Sequence, residues 1–128
     1  MVDPKETLRV FKTSGFSKVA SKARIGNDEL CDAIQEILKG QCDDLGGNVF
    51  KKRLNKNLHR GIVLRVGPYW IYVYLFAKKD RENIDGKELT GFRDLADAYA
   101  EMTSQVLNKV LGNKDILEIC HDGDETEV

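Results

Sequence analysis

The sequence predicts an α+β domain: a small antiparallel β-sheet with an N-terminal helical hairpin and a C-terminal helix. Three observations predict it. Apolar residues recur at helical spacing through roughly residues 14–40, switch to strand-like runs between 49 and 77, and return to helical spacing after 85. Gly67-Pro68 separates two of the strand-like runs and marks a tight hairpin. The 128 residues, 41% apolar and 32% charged, suffice for one compact domain with a single core. Residues 1–121 are read as that domain and 122–128 as an acidic, disordered tail.

Each element has its own signal. LRVFKT (8–13) alternates apolar and polar residues and reads as a first strand, and SGFSKVASKA follows as a weakly amphipathic helix beginning after Ser14. The next helix opens at Gly26-Asn27, with Asn27 as N-cap and Asp28 and Glu29 in the first turn, where the helix dipole favours carboxylates. Leu30, Ile34, Ile37 and Leu38 fall on one face and Gly40 stops the helix. CDDLGGNV is a turn-rich break. VFKKRL, GIVLRV and YWIYVYLFA are then three strands. In the last of them Trp70, Tyr72, Tyr74 and Phe76 share one face, while Ile71, Val73, Leu75 and Ala77 share the other. The aromatic row is expected to be core, with Tyr74, nearest the basic strand end, as the exception. Asp85 caps a third helix with a stripe of Leu89, Phe92, Leu95, Ala96, Tyr99 and Met102. A short helix over 104–111 and a short strand in ILEIC complete the chain. The expected sheet has three or four strands, with the helices on one side.

Three cysteines at irregular spacing, Cys31, Cys42 and Cys120, argue against a disulfide framework and for a reducing compartment. Cys31 and Cys120 are expected to be small apolar fillers. Cys120-His121 has no second pair at ligand spacing, so no structural zinc is expected. MVDPKETLRV lacks the apolar core of a signal peptide, and no apolar run approaches the ~18–20 residues of a membrane span. A cytoplasmic protein with no membrane partner is expected.

The net charge of −1 conceals an asymmetry. Residues 48–81 hold nine Lys or Arg against one acid, whereas 115–128 hold six acids and no Lys or Arg. The centre of the basic segment is KKRLNKNLHR (51–60). Lys51 and Arg53 project from one face of their strand, while Lys52 points the other way with Phe50 and Leu54. With Arg65 on the next strand and Lys78, Lys79 and Arg81 at the end of the one after, the ends of adjacent antiparallel strands converge on a positive patch suited to phosphates. Lysines at sheet edges also block edge pairing, but a purely solubilising surface mixes signs. The near absence of acids over 34 residues favours nucleic acid.

LRVFKTSGF, DDLGGNVFKKRL, YWIYVYLFAKKDRENIDGKEL and a closing LEICHD together resemble the RelE/HigB branch of bacterial toxin–antitoxin toxins over 8–122. Most specific are LGG ahead of the KKR strand and the aromatic strand running into FAKKDRENI. The resemblance implies a microbial RNase-like fold with a basic concave surface. It implies cleavage of messenger RNA in the ribosomal A site without metal or organic cofactor. It also implies neutralisation by a cognate antitoxin of helix-turn-helix type. Some members of the superfamily poison DNA gyrase instead, so a non-cleaving binder, of gyrase or of RNA and ribosome, is the alternative.

Cleavage of this kind uses the ribose 2′-OH as nucleophile and needs the developing phosphorane charge stabilised by preorganised cations. The resemblance carries Lys51 and Arg53 onto the strand that lies against the cleaved backbone, and Lys78, Lys79 and Arg81 onto the basic strand end. Relatives carry a Gly-Lys-Ser-Gly-Gly-aromatic-Arg stretch where this chain has only NLHRGIVLRVG. The resemblance implies Arg65 as the transition-state arginine, with Arg60 as the alternative, and the shortened stretch leaves both open. Arg65, Lys78, Lys79 and Arg81 form the expected catalytic set, and Lys51, Lys52, Arg53, Lys56, His59, Arg60 and Tyr74 the expected RNA contacts. Relatives place an acid–base Tyr or His near the C-terminal end; Tyr99 and His121 stand there, expected respectively as core and as an exposed residue.

Overall fold

Thr13 ends the first strand and caps the helix that follows, its Oγ1 accepting from the Phe16 N–H at 3.1 Å. From there the elements are β1 (Arg9–Thr13), α1 (Ser14–Lys22), α2 (Asn27–Leu38), β2 (Asp43–Asp44), β3 (Val49–Leu54), β4 (His59–Val66), β5 (Tyr69–Ala77), α3 (Gly86–Ala100) and β6 (Ile116–Ile119). The structure, a computed structural model, describes residues 9–102, 109 and 115–120. The expected helix over 104–111, apart from Lys109, lies outside the described residues, as do His121 and the acidic tail.

The strands form one sheet in the order β2-β3-β4-β5-β1-β6. β3, β4 and β5 are antiparallel neighbours, but β1 runs parallel to β5, with Arg9 beside Tyr69 and Lys12 beside Tyr72. β6 then closes the outer edge of β1 antiparallel, Val10 facing Ile119. The described sheet has six strands rather than three or four. The extra edge strand, β2, comes from the segment that reads as a turn: Asp43 and Asp44 pair with Lys51 and Phe50 before Gly46 and Gly47 reverse the chain through positive φ.

Helices cover both faces of the sheet, not one, because the strands alternate between two separate cores. Val10, Leu54, Val63, Trp70, Tyr72 and Ile119 pack with Phe16 and Ala20 of α1 and Leu30, Ala33, Ile34 and Ile37 of α2. Phe11, Val49, Ile62, Leu64, Ile71, Phe76 and Ile116 pack on the other side, against Leu89, Phe92, Leu95, Ala96 and Tyr99 of α3. Burying each large aliphatic or aromatic side chain contributes roughly 1.5–3 kcal/mol, which holds the two helical layers to the sheet.

Two details of the helices differ from expectation. Gly26 is the N-cap of α2, and Asn27 is its first residue, accepting instead from Lys12 Nζ at 2.8 Å. Leu38 is 48% exposed, since it lies about 80° around the helix from Leu30 and falls off the buried stripe. α3 opens as expected on Asp85, but in a full capping box with Glu88.

The aromatic row of β5 is divided. Ile62 faces Tyr74 while Val63 faces Tyr72, so Val73 is an extra residue in the β4–β5 ladder. One inserted residue inverts the alternation beyond it. Trp70, Tyr72 and Leu75 therefore meet the helical hairpin, and Ile71, Tyr74 and Phe76 meet α3.

Cys31 and Cys120 are joined in a disulfide with their Cα atoms 5.6 Å apart, so they are not separate apolar fillers. Only the tertiary path brings them together: β6 pairs on β1 and sets Ile119 into the core beneath α2. As a disulfide, Cys120 has no thiolate to offer a metal. Cys42 is free and half-buried, and burial pushes its thiol pKa up.

Candidate nucleic-acid interface

The β3–β4–β5 register decides which basic residues share a face. Arg53 lies directly opposite Arg60, and Arg60 directly opposite Phe76. Lys51, opposite Ile62, projects from the same face one pleat further along. Past the end of β5 the chain turns back, and the Arg81 guanidinium settles over the Phe76 ring at 5.6 Å and the Tyr74 ring at 6.0 Å. Arg53, Arg60, Phe76 and Arg81 thus form a row across the sheet, beside the part of this face that α3 covers.

The hairpin joining β3 to β4 is shaped by three successive left-handed residues, Asn55, Lys56 and Asn57, with φ of 53°, 52° and 72°. Glu29 of α2 accepts from the Asn55 N–H at 2.5 Å, and the Asn55 side chain lies 3.1 Å from His59 Nδ1. The hairpin presents Lys56 to solvent. Arg60 Nη1 folds onto the same turn, donating to the carbonyls of Asn57 and His59 at 3.0 and 3.1 Å. Lys78 and Lys79 are exposed beside it, the Lys78 N–H donating to the Leu58 carbonyl at 2.9 Å. A cleft of about 450 Å³ opens next to this end of the sheet, lined by Val19, Lys22, His59, Tyr74, Phe76 and Arg81 among others.

Two of the sequence-derived residues stand apart. Lys52 points to the opposite face, is buried, and pairs with Glu36 of α2 at 2.7 Å. Arg65 is also on the hairpin face, with its guanidinium over Trp70 at 5.5 Å. Seven residues of β5 separate Trp70 from Ala77, about 23 Å at strand rise, so Arg65 is at the wrong end of the sheet to meet Lys78 or Arg81. Tyr99 lies in the α3 core stripe, eleven residues and roughly 16 Å of helix beyond Glu88, and burial pushes its phenol pKa up.

Several of the cations already carry carboxylate partners. Lys51 pairs with Asp43 at 3.5 Å, Lys52 with Glu36, and Arg81 with Glu88 at 2.5 Å. Arg53 and Arg60 pair with none among the described residues. Two like charges directly opposite each other destabilise a strand pair. Glu88 is the residue the sequence reading missed. Its signal was present, since Asp85-x-x-Glu88 is a capping-box spacing, but its second role, holding Arg81, arises only when β5 turns back. The Arg81 guanidinium and the Asp85 N–H hold the Glu88 carboxyl below its ordinary pKa, and Glu88 in turn raises that of Arg81.

A six-stranded, mostly antiparallel sheet with a helical hairpin on one face and a later helix on the other is a RelE-like α+β architecture. Residues 8–119 match the family model described as the RelE toxin of the RelE/RelB toxin–antitoxin system, and the chain belongs to that family. It is therefore a toxin of a toxin–antitoxin pair, and the family implies a cognate antitoxin as its partner. No curated protein sequence and no solved structure matches the chain significantly. Among the described residues no helix is long and apolar enough to cross a membrane.

Proposed function

We propose that this toxin is a ribosome-dependent mRNA endoribonuclease whose substrate backbone lies along the Arg53–Arg60–Phe76–Arg81 row. The observation that carries the proposal is the cross-strand pairing of Arg53 with Arg60, without a carboxylate partner for either among the described residues. A fold tolerates such repulsion where a polyanion relieves it.

In the reaction the 2′-OH attacks the adjacent phosphorus and loses its proton, the P–O5′ bond breaks, and O5′ takes up a proton. The products are a 2′,3′-cyclic phosphate and a 5′-hydroxyl. Arg53 and Arg60 stabilise the charge that accumulates on the non-bridging oxygens, a role worth several kcal/mol in preorganised sites. Lys51, Lys56, Lys78 and Lys79 hold the flanking phosphates, and Tyr74 and Phe76 offer ring surface to a base. His59, with Nδ1 engaged by the Asn55 amide, presents Nε2 for proton transfer. A helix-turn-helix antitoxin would silence the toxin by covering the row or keeping it from the cytoplasmic ribosome.

Induction of the gene in a bacterial host, with primer extension on abundant messages, tests this proposal. Growth arrest with new codon-phased cuts is expected from the wild type, and Arg60→Ala should abolish both. Arg65→Ala should retain them, since its guanidinium rests on Trp70 away from the row. Arrest without cuts would replace the nuclease with a binder of gyrase or another target.

A further inference from the structure

We propose that Arg81 is a second phosphate seat beside the Arg53–Arg60 pair, and that Glu88 is its resident anion, displaced when a chain of phosphates binds. The proposal rests on the RNA surface described above and adds a selectivity device to it.

Phe76 is the common neighbour. Arg60 is its register partner across the β4–β5 ladder, and the Arg81 guanidinium lies over its ring at 5.6 Å, so both arginines neighbour one aromatic residue. Glu88 grips Arg81 at two points, accepting from Nη1 at 3.0 Å and from Nη2 at 2.5 Å. This is the fork geometry that a phosphate also adopts on a guanidinium. Other groups fix the plane of the fork. Nε donates to the Asn83 carbonyl at 3.0 Å, and Nη1 also reaches the Tyr74 hydroxyl at 3.1 Å. When Glu88 leaves, Arg81 keeps its aim.

Glu88 also has somewhere to go. Its Oε1 accepts from the Asp85 N–H at 2.8 Å, and the Asp85 carboxylate accepts from the Glu88 N–H at 2.8 Å in return. At the first turn of α3 a carboxylate is favoured by the helix dipole whether or not Arg81 is attached. The side chains of Arg81 and Glu88 are 31% and 32% exposed, so an incoming phosphate can reach the fork without unfolding anything. The exchange swaps one anion for another on a preoriented cation.

Selectivity follows from the contrast with Arg53 and Arg60, which carry no such partner among the described residues. A ligand with a single phosphate gains only the open pair. A nucleic acid strand presents a second phosphate at a fixed distance from the first, and this one competes with Glu88. Glu88 therefore weakens binding of every phosphate ligand that reaches Arg81, and a strand bearing successive phosphates overcomes it.

The discriminating variant is Glu88→Gln, whose amide oxygen still accepts from the Asp85 N–H while the charge is gone. Binding of fluorescein-labelled oligouridylate is measured by anisotropy over a potassium chloride series. The variant should bind several-fold more tightly than wild type throughout the series, with the same slope of log affinity against log salt, because the strand makes the same phosphate contacts in both. In an Arg81→Ala background the same change should do nothing. Unchanged affinity, or weaker binding with a lowered Tm, makes Glu88 a structural tie and overturns the proposal. If wild type fails to bind oligouridylate, or binds equally well without Arg53 and Arg60, the RNA surface itself is wrong and the second seat falls with it. Wild-type binding through Arg53 and Arg60, with Glu88→Gln indifferent, removes the role of Glu88 alone.

Discussion

Arg53 and Arg60 face one another across β3 and β4, and this repulsion opposes folding by about 0.2–1 kcal/mol. Arg60→Ala should therefore leave the thermal midpoint unchanged or slightly raised while toxicity disappears, a pairing that melting curves and growth assays check together. Tyr72 shows the opposite economy. Its phenol is fully buried, donates to the Leu30 carbonyl at 2.6 Å, and has its pKa pushed well above the ordinary value of 10.0, by burial first and by Glu29 and Glu36 after it. A folded-state pKa raised above that of the unfolded chain gives stability that is present below about pH 10 and lost as pH rises beyond it. Denaturant melts between pH 8 and about 11 should show that loss, and Tyr72→Phe should flatten it at a cost of about 1 kcal/mol at neutral pH. Glu88 works at the acid end. Its depressed pKa gives stability present above its ordinary value of 4.5 and lost as pH falls through the lower folded value. Glu88→Gln should blunt the acid limb of the same profile.

At the scale of elements, what was legible in the sequence depended on how local the cause was. The capping of α3 by Asp85, the Gly67-Pro68 hairpin and the strands around it rest on neighbours a few residues apart, and the structure has them where the spacing places them. The division of the β5 aromatic row was not legible, because a bulge at Val73 arises from register against β4 and leaves no mark in the β5 sequence itself. That hidden step sends Tyr74 to the side of Phe76, Arg60 and Arg81. Arg65 illustrates the same limit, since its strand alone does not show that its guanidinium lies over Trp70, at the other end of β5 from Ala77. α3 is anchored over the sheet by Arg93, which donates to the carbonyls of Leu45 and Gly46 at 2.5 and 3.3 Å. Gly47, at φ 63°, lies against it so closely that an added Cβ would come within 2.5 Å of Arg93 Cγ. Gly47→Ala should cost about 1–3 kcal/mol through left-handed strain and the displaced arginine, measurable as a fall in denaturation midpoint.

For the whole molecule the long-range tie is the disulfide, which spans 89 residues from α2 to the end of β6. A cross-link of that reach restricts the unfolded chain, and its loss is expected to cost about 2–4 kcal/mol. Reductant should lower the unfolding free energy of wild type by that margin in denaturant melts and leave a Cys31→Ser, Cys120→Ser double variant unmoved. The cysteine count argued the other way because an odd number at irregular spacing says nothing of which two the fold will bring together.

The pairing of β6 on β1 has a consequence for how this toxin is made. The outer edge of β1 is synthesised well before its described partner, and the pair forms only when residues 116–119 follow. Synthesis proceeds at about 5–20 residues per second, so that edge waits for seconds while its own ribosome is still translating. Until then Phe11 lacks Ile116, a fully buried partner in its core. A nascent toxin thus keeps this edge of its sheet open until β6 is made, and the separation of the two strands along the chain sets the delay.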